Sequence, residues 1–299
     1  MSTLASDHTC PFCISNKARF FHTASSFGYQ VRYYQCTICG LIFQDQQESQ
    51  AADPDFYAQT YRTIYQQTES PTAKDLRVQK QRAEHTLQWI MMQGIPNVDR
   101  ALDIGASAGV FLDEIRSQLQ CNVMGVEPGE VYRAFAQDKG LTIFPSLNDL
   151  KRQTVNKFDL ISLMHVLEHL PDPLASLEDL RTSLMQSNGY LLIEVPNFYA
   201  HDSYELAHLV CFTPFSLKQL VKQAGFKIIA TRLHGFPRSK LLPLYITLLA
   251  SPNQGNQDTK KIKRDLCVRQ KRTFAMFHRR VVQKLFPHMA WLPLKDVQA

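Results

Sequence analysis

A strand that runs into a turn of small residues and then into a helix is the feature that most constrains this chain, and it lies in RALDIGASAGVFLDEI. Two glycines of the turn, Gly105 and Gly109, allow backbone to approach a ligand closely, and the helix start offers unpaired N–H groups. Downstream, apolar strands alternate with helices as far as FKIIATR. This alternation predicts an α/β fold with a Rossmann-like, doubly wound parallel sheet and right-handed crossovers.

Acidic residues occupy neighbouring strands of this predicted sheet. Asp103 lies in the first strand, and Glu127 ends the next strand, CNVMGVE, 24 positions later. A carboxylate at the tip of the second strand suits hydrogen bonds to the two hydroxyls of a ribose. The turn G-A-S-A-G is one residue shorter than the G-x-G-x-x-G of dinucleotide dehydrogenases. We therefore predict a nucleoside-containing ligand other than a dinucleotide at the carboxyl ends of the strands.

A histidine-rich segment, MHVLEHLPDP, follows the apolar strand FDLISLM. It carries His165 and His169 with Glu168 between them, and His208 lies in the loop after the next strand. A histidine near the edge where the cofactor binds can take a proton from an acceptor, for roughly 10²–10⁴-fold in rate. We therefore predict these three histidines as candidate catalytic bases. Two alternatives stay open: they are structural residues that satisfy buried backbone, or His165, Glu168 and His169 bind a divalent ion.

Seven cysteines fall into two pairs and three isolated residues. The pairs CPFC and CTICG, separated by a 22-residue spacer, predict a structural zinc ribbon, because two C-x-x-C turns supply four tetrahedral sulfur ligands. The predicted ligands are Cys10, Cys13, Cys36 and Cys39. The stretches RFFHTAS and YQVRYYQC between the pairs predict two strands. The alternative is a set of free or redox-active thiols.

The formal charge of +6 is concentrated at the carboxyl end. From Lys260 onward, eleven Lys and Arg face two Asp, which gives +9, whereas residues 1–70 carry four basic and six acidic residues, which gives −2. Apolar residues recur at near-helical spacing through this basic tail. We expect either a helix packed on the core with a solvated basic face, a helix that binds anionic lipid, or a nucleic-acid contact.

Four segments are predicted from these features. They are the zinc ribbon 1–50, a helical linker or lid 51–98, the core 99–235 and an extension 236–299 with the basic helix. In the linker, Tyr57, Tyr61 and Tyr65 predict one face of a helix that either packs on the core or reaches the active site. The first residues lack a basic, apolar leader and the longest apolar run is too short to span a bilayer, so we expect a cytoplasmic protein.

The motifs LDIGASAG, GVEP, FDLISLMHVLEHLPDP and NGYLLIEVP together resemble those of class I S-adenosylmethionine-dependent methyltransferases, over roughly residues 75–235. The cysteine ribbon and the segment HLVCFTPFSL resemble bacterial sugar C-methyltransferases, and the HVLEH turn is similar to ubiquinone-type O-methyltransferases. The resemblance implies a seven-stranded sheet whose last strand is antiparallel, for which LPLYITLL is the candidate. It also implies these cofactor-binding residues: Asp103, Gly105, Ala106, Gly109, Glu127, Pro128, Met164 and His165.

By this resemblance, Asp103 contacts the amine of S-adenosylmethionine, Glu127 holds its ribose, and Met164 and His165 border the sulfonium. The chain departs from the pattern at Ser107, where a glycine is usual, and at Ala207, where the sugar enzymes often carry glutamate. We predict methyl transfer to an oxygen or carbon of a small molecule, such as a nucleotide-linked sugar or a secondary metabolite. The alternatives are an RNA methyltransferase, which the acidic ribbon region disfavours, and a non-catalytic zinc scaffold that binds the cofactor.

Overall fold

The structure, a computed structural model, describes residues 8–45, 49, 70–95, 98–153, 156–255 and 261–292. Within these ranges the chain forms a large sheet flanked by helices and a small sheet at its amino-terminal end. The tyrosines Tyr57, Tyr61 and Tyr65, and the helix predicted for them, lie outside the described residues.

Eleven strands occur in the described ranges. They are β1 (Ala18–Ser26), β2 (Tyr29–Cys36), β3 (Ile42–Gln44), β4 (Arg100–Ile104), β5 (Asn122–Val126), β6 (Thr142–Phe144), β7 (Phe158–Met164), β8 (Met185–Pro196), β9 (Val210–Cys211), β10 (Phe226–His234) and β11 (Tyr245–Pro252).

The large sheet has seven strands in the order β10–β11–β8–β7–β4–β5–β6. The five strands from β8 to β6 are parallel, whereas β11 runs antiparallel to both β8 and β10. The doubly wound sheet and its antiparallel last strand are therefore confirmed, and that strand is the predicted candidate, YITLLASP. The strand order reverses between β4 and β7, so the carboxyl ends of these strands flank the expected ligand crevice.

The helices cover the sheet and provide its crossovers. They are α1 (Ala73–Met91), α2 (Val110–Leu119), α3 (Glu130–Asp138), α4 (Leu147–Gln153), α5 (Pro173–Asp179), α6 (Pro214–Gln223), α7 (Val268–Leu285) and α8 (Pro287–Ala290). Helix α1 begins at Ala73, because Thr72 and Asp75 form a capping box there. Its apolar face packs Leu87 and Ile90 against the sheet residue Leu160. Among the described helices, none is long and apolar enough to cross a membrane.

Two elements differ from the sequence-based prediction. The segment PLASLEDLRTSLMQSNG, residues 173–189, predicts a single helix. The helix instead ends at Asp179, and a π-helical turn, Leu180–Leu184, leads directly into β8. Met185 pairs with Phe158 of β7 and is buried, so strand pairing overrides the local helical propensity. Helix α4 was not predicted, although the parallel connection from β6 to β7 requires a crossover.

The small sheet joins the amino-terminal module to the rest of the chain. Its order is β1–β2–β3–β9, and β9 comes from the loop that follows β8. The predicted strands RFFHTAS and YQVRYYQC are confirmed within β1 and β2. Buried side chains of this module, such as Tyr33 and Phe43, belong to the same hydrophobic cluster as Phe198 and Leu209 of the large domain. The module therefore shares a core with the α/β domain.

The basic helix α7 packs on the protein through its arginine-bearing face and exposes its apolar face, the reverse of the first expectation. Its buried residues are Val268, Arg272 and Arg279, whereas Phe274 and Phe277 are exposed. The prediction of a packed apolar face and a solvated basic face is therefore wrong for this helix. Hydrogen bonds from the buried guanidinium groups to backbone carbonyls explain why the cations lie inside.

Candidate active site

The turn after β4 has the backbone that its glycines predict. Gly105 has φ +74° and Gly109, which caps α2, has φ +76°, both in the left-handed region. A Cβ atom at Gly105 would lie 2.4 Å from a Val166 methyl carbon. The glycine turn and the histidine-rich turn therefore touch, and Ala106 is buried beside them. Ser107 also adopts a positive φ, so the turn survives the loss of the usual glycine.

The carboxylate of Glu127 is held at the tip of β5 by two backbone donors. The Ser107 N–H donates to Oε2 at 2.8 Å, and the Gly129 N–H donates to Oε1 at 2.9 Å. The side chain is only 4% exposed, and Pro128 beside it is exposed. The geometry therefore fixes both carboxylate oxygens before a ligand arrives, and each oxygen keeps acceptor capacity for a ribose hydroxyl.

Asp103 lies buried at the end of β4 with one polar partner, the Ser162 hydroxyl, which donates to Oδ1 at 2.6 Å. Burial raises the pKa of Asp103 to about 7, the Ser162 hydrogen bond opposes the rise, and the nearby Glu127 adds to it. A buried carboxyl whose ionised form is disfavoured gains most from a cationic partner. The residue is thus suited to an ammonium group of a ligand.

His165 is held by a buried network around Glu194. It follows Met164 at the end of β7, has φ +58°, and its Nε2 lies 3.2 Å from Glu194 Oε1. Glu194 is also approached by Arg82 and receives a 2.8 Å hydrogen bond from the Thr247 hydroxyl. Although burial opposes ionisation, these partners hold the pKa of Glu194 well below its usual range.

Glu194 was missed in the sequence-based assignment, and so were its partners Arg82, His234 and Thr247. His234 Nε2 lies 3.1 Å from Glu194 Oε2. A glutamate inside the apolar strand YLLIEV was the available signal, because a fully buried carboxylate needs partners. The partners themselves come from α1, β10 and β11, which no local pattern connects to β8.

His169 and His208 come together as predicted, with ring centroids 5.2 Å apart. The Nδ1–H of His169 donates to the Ala207 carbonyl at 2.8 Å, and that of His208 donates to the Ser203 carbonyl at 3.2 Å. These bonds assign the proton to Nδ1 in both rings and leave Nε2 as the basic nitrogen. Burial lowers the pKa of both histidines, so both are neutral at pH 7.

Two carboxylates flank the histidine pair. Glu168 is 2% exposed, and among the described residues neither of its oxygens has a hydrogen-bond partner. Although its burial opposes ionisation, His165 and then His169 hold the pKa of Glu168 at about 2. Glu205, which the sequence did not single out, lies with Oε2 3.7 Å from His208 Nε2, and burial raises its pKa to about 7.

The residues that could bind a divalent ion differ from the set His165, Glu168 and His169 that the sequence suggested. Ligating atoms of Glu168, His169 and His208 lie within 4.8 Å of one another, whereas His165 stands outside this group. The His165 ring lies between two carboxylates, with Nδ1 3.6 Å from Glu168 Oε1 and Nε2 3.2 Å from Glu194 Oε1.

A cavity of about 650 Å³ opens in front of these side chains, within the size range of small-molecule sites. Its wall combines α1, the histidine-rich turn, the loop before β9 and the carboxyl-terminal segment. The residues that line it include Lys74, Arg82, His165, Glu168, His169, His201, Glu205, His208, Arg238, Tyr245 and Trp291. The cavity is therefore rich in titratable groups of both signs.

A family model described as a methyltransferase domain matches residues 76–231, just over half of the chain. The chain belongs to the methyltransferase-domain family. Ubiquinone biosynthesis O-methyltransferase of Actinobacillus pleuropneumoniae serotype 7 (strain AP76) is 34% identical over 109 residues, 33% of this chain and 46% of that protein. The tRNA U34 carboxymethyltransferase of Desulforapulum autotrophicum is 30% identical over 145 residues, 42% of this chain and 44% of that protein.

The chain thus spans about half the length of the curated relatives it matches. Among solved structures, a SAM dependent methyltransferase from Archaeoglobus fulgidus aligns with 57% of this chain and 93% of that chain, at 20% identity and a TM-score of 0.47. So distant a likeness carries no argument about mechanism. Family membership accords with the sheet order described above, which is that implied by the motif resemblance.

The amino-terminal module holds the loop that carries His208 in place. The side-chain amide of Gln44 donates to the backbone carbonyls of Glu205 and His208 at 2.9 and 2.8 Å, and the Tyr33 hydroxyl donates to the Glu205 carbonyl at 2.8 Å. The Leu206 N–H donates to the Ser26 hydroxyl at 3.2 Å. Both Gln44 and Tyr33 are buried, so the module fixes the backbone that carries one of the two paired histidines.

The four predicted cysteines of the module are brought together as the ribbon pattern requires. Sulfur atoms of Cys10 and Cys39 lie 3.6 Å apart, those of Cys13 and Cys36 lie 3.4 Å apart, and all four lie within 4.8 Å of one another. A tetrahedral site with Zn–S bonds of about 2.3 Å would separate its sulfur atoms by roughly 3.8 Å. The four thiols therefore fit a zinc ion, and no disulfide joins them.

Proposed function

We propose that this protein transfers a methyl group from S-adenosylmethionine to an oxygen or carbon of a small-molecule acceptor, such as a nucleotide-linked sugar or a secondary metabolite. The observation that carries the proposal is the contact between the glycine turn and the histidine-rich turn at Gly105 and Val166. It brings the edge that holds Asp103 and Glu127 next to the cavity that contains His169 and His208. A donor site and a proton acceptor thus adjoin.

We call the sheet edge that carries Asp103, the turn Gly105 to Gly109 and Glu127 the donor edge, and we assign each of these residues a role. Glu127 would accept hydrogen bonds from the ribose hydroxyls, and Asp103 would pair with the amine, which favours the ionised carboxylate that burial disfavours. The backbone of Gly105, Ala106 and Gly109 would line the methionine end. When bound, S-adenosylmethionine supplies a sulfonium methyl group that is displaced in line, so the chain contributes mainly alignment.

The acceptor must lose a proton as the methyl group is transferred to oxygen or carbon. Nε2 of His169 or His208 is the proton acceptor, because both rings are neutral at pH 7 and hold their other proton in bonds to backbone carbonyls. Glu168 and Glu205 stabilise the resulting imidazolium, since their carboxylates lie 4.0 and 3.7 Å from the two Nε2 atoms. His165 is assigned a positioning role rather than that of the base, because its ring contacts Glu194.

The experiment is a two-stage measurement on the full chain. Calorimetry with S-adenosylmethionine measures donor binding, and release of S-adenosylhomocysteine is then followed with hydroxyl- and carbon-centred acceptors, and with RNA as a separate arm. Binding without turnover in every arm would favour the scaffold alternative, and turnover on RNA alone would favour the RNA alternative. Failure of the wild-type protein to bind the donor would overturn the proposal.

The amino-terminal module is proposed to hold structural zinc through Cys10, Cys13, Cys36 and Cys39, because the sulfur spacing fits a closed tetrahedral site. We keep the proposed segments 1–50, 51–98, 99–235 and 236–299 and the cytoplasmic location as predictions. One refinement concerns the core: the seven-stranded sheet includes β11, so we propose that the core extends to Pro252.

A further inference from the structure

Helix α7 is held on the protein by buried arginines. Arg272 donates to the backbone carbonyls of Phe198 and His201, and its guanidinium lies 4.2 Å from the Phe198 ring centroid. Arg279 donates to the Ala200 carbonyl at 2.9 Å and to Asp202 Oδ2 at 2.7 Å. Both arginines are 8% exposed. The inner face of this helix is thus cationic, and its partners are fixed polar groups of the turn after β8.

The outer face of α7 is an apolar stripe. Phe274, Phe277, Val281 and Leu285 recur at spacings of three, four and four residues, which places them on one side of a helix. Their exposed fractions are 73%, 62%, 37% and 62%. Phe286 and Met289, at 52% and 44% exposed, extend the stripe past the end of the helix. We call this surface, residues 274–289, the outer stripe.

Lysine and arginine side chains flank the outer stripe. At about 100° per residue, Arg280 and Lys284 lie on one side of it and Lys271 on the other, and all three are exposed. The segment before the helix adds exposed Lys263. The helix sequence VRQKRTFAMFHRRVVQKL contains no acidic residue. An apolar centre with basic margins is the arrangement of a helix that lies in the plane of a membrane interface.

We propose that the outer stripe binds the surface of a lipid bilayer that contains anionic lipids. The phenylalanines enter the boundary between head groups and acyl chains, and the flanking cations pair with the anionic head groups. A second copy of the chain fits less well, because a symmetric contact would bring basic margins against basic margins. Nucleic acid fits less well because aromatic and aliphatic side chains occupy the centre of the surface and two arginines are committed inward.

A bilayer on the outer stripe would also affect how an acceptor reaches the cavity, an inference that rests on the proposed function. Trp291 and Leu292, which follow the outer stripe directly, line the 650 Å³ cavity. The ring of Trp291 also lies 5.2 Å from the Arg279 guanidinium. A bilayer seated on the stripe would therefore lie beside the wall of the cavity. We expect acceptors that partition into bilayers to reach the site by this route, whereas bilayer binding itself does not require methyl transfer.

The test is co-sedimentation of the full chain with vesicles. We expect binding to vesicles of equimolar phosphatidylcholine and phosphatidylglycerol, weaker binding to phosphatidylcholine alone, and release by salt. The double variant Phe274→Ser, Phe277→Ser should lose roughly tenfold or more in binding to the mixed vesicles, because two aromatic anchors are removed. The matched control is Phe20→Ser, a 57% exposed phenylalanine on β1, which should bind like the wild type.

Several outcomes would overturn the proposal. Among them are absence of wild-type binding to both vesicle types, and equal binding of the double variant and the wild type. A dimer in light scattering that the double variant abolishes would identify a second copy as the occupant. Release of the protein from vesicles by an RNA oligonucleotide, together with unchanged vesicle binding by the double variant, would identify nucleic acid as the partner. All substituted residues are exposed, so the circular dichroism spectra and donor affinities of the variants should match those of the wild type. These two measurements show whether a variant that no longer binds vesicles is still folded.

Discussion

The two sides of the candidate active site are built in different ways. The donor edge uses residues from two consecutive strand–turn–helix units, Asp103 to Gly109 and Glu127 to Gly129, and the two hydrogen bonds that hold the Glu127 carboxylate span 20 residues or fewer. The acceptor side combines α1, the histidine-rich turn, the ribbon-held loop and the carboxyl-terminal segment, and Gln44 contacts His208 across 164 positions. The residues proposed to bind the donor thus come from two neighbouring segments of the chain, whereas the proposed acceptor side depends on contacts between distant segments.

The largest expected effect is on the acceptor side. Replacement of His208 by alanine should lower turnover by roughly 10²–10⁴-fold if it is the base, because the acceptor proton then has no positioned acceptor. Donor affinity should change little, since the histidine pair lies outside the donor edge. The measurement is turnover with saturating donor beside calorimetric affinity, with His169→Ala in parallel and exposed His288→Ala as control.

Full activity of both His169→Ala and His208→Ala would remove the base assignment. Metal analysis of the wild type adds a second check on these residues. One divalent ion per chain beyond the ribbon zinc, lost in His208→Ala, would show that the pair binds an ion at the Glu168 group instead.

On the donor edge, Glu127→Ala should weaken donor binding by roughly 10- to 100-fold, because hydrogen bonds to a charged group contribute about 1.5–3 kcal/mol. Glu127→Gln, which keeps an acceptor oxygen and the shape, should lose less. Exposed Glu130→Ala, three residues on, is the control and should bind as the wild type does. Unchanged calorimetric affinity in Glu127→Ala would exclude the ribose assignment.

Removal of zinc should impair the acceptor side of the site and leave the donor edge unchanged. Cys36→Ser, or chelation of the ribbon, should loosen β2 and β3 and with them the Glu205–His208 backbone that Tyr33 and Gln44 hold. Turnover should therefore fall by roughly tenfold or more, whereas donor affinity should stay within about twofold. Metal content and hydrogen exchange of residues 203–211 are the readouts. An apo protein with full exchange protection in the ribbon would contradict a structural metal.

A finer test of the same link is Gln44→Leu, which removes the amide but keeps the volume. The backbone carbonyls of Glu205, Leu206 and His208 lose the hydrogen bonds from the Gln44 amide. Turnover should therefore fall by several-fold to tenfold, in keeping with about 1–3 kcal/mol for unsatisfied buried groups. The pH dependence of turnover should shift as well, because His208 changes its environment. Gln30→Leu, an exposed glutamine on β2, is the control. A decrease in thermal stability without any change in the pH profile would reduce Gln44 to a structural role.

The smallest effect concerns pH. Asp103 has its pKa raised to about 7, and only its ionised form pairs with the donor amine. Donor affinity should therefore be constant above pH 8 and fall by up to roughly tenfold between pH 8 and 6. Asp103→Asn should bind more weakly and lose this slope. Calorimetry in buffers of different ionisation enthalpy should show proton release on binding at pH 6.5, and its absence would contradict the raised pKa.

The difference between the donor edge and the acceptor side also explains which features could be predicted from the sequence. The strands, the glycine turn, Glu127 and the cysteine pairs follow from local spacing and backbone chemistry, and the structure places them as expected. The histidine pair was also within reach, because parallel strands bring their carboxyl ends to one edge.

Glu205, Gln44 and the Glu194 network were not within reach. Their roles depend on partners far away in the chain, such as Arg82 and His234, and no periodic pattern encodes those contacts. The inward arginines of α7 were not predicted for a related reason. The spacing of apolar residues gives the polarity of each helix face, but it does not say which face meets the protein.

Strand β9, only two residues long, lends its backbone to the ribbon sheet. A fragment that began after the ribbon would leave Val210 and Cys211 without strand β3, with which they pair, next to the apolar side chains that the ribbon now covers. Such an unprotected edge invites pairing between molecules. The ribbon therefore protects this edge from self-association, and a chain shortened to its α/β domain should be less soluble.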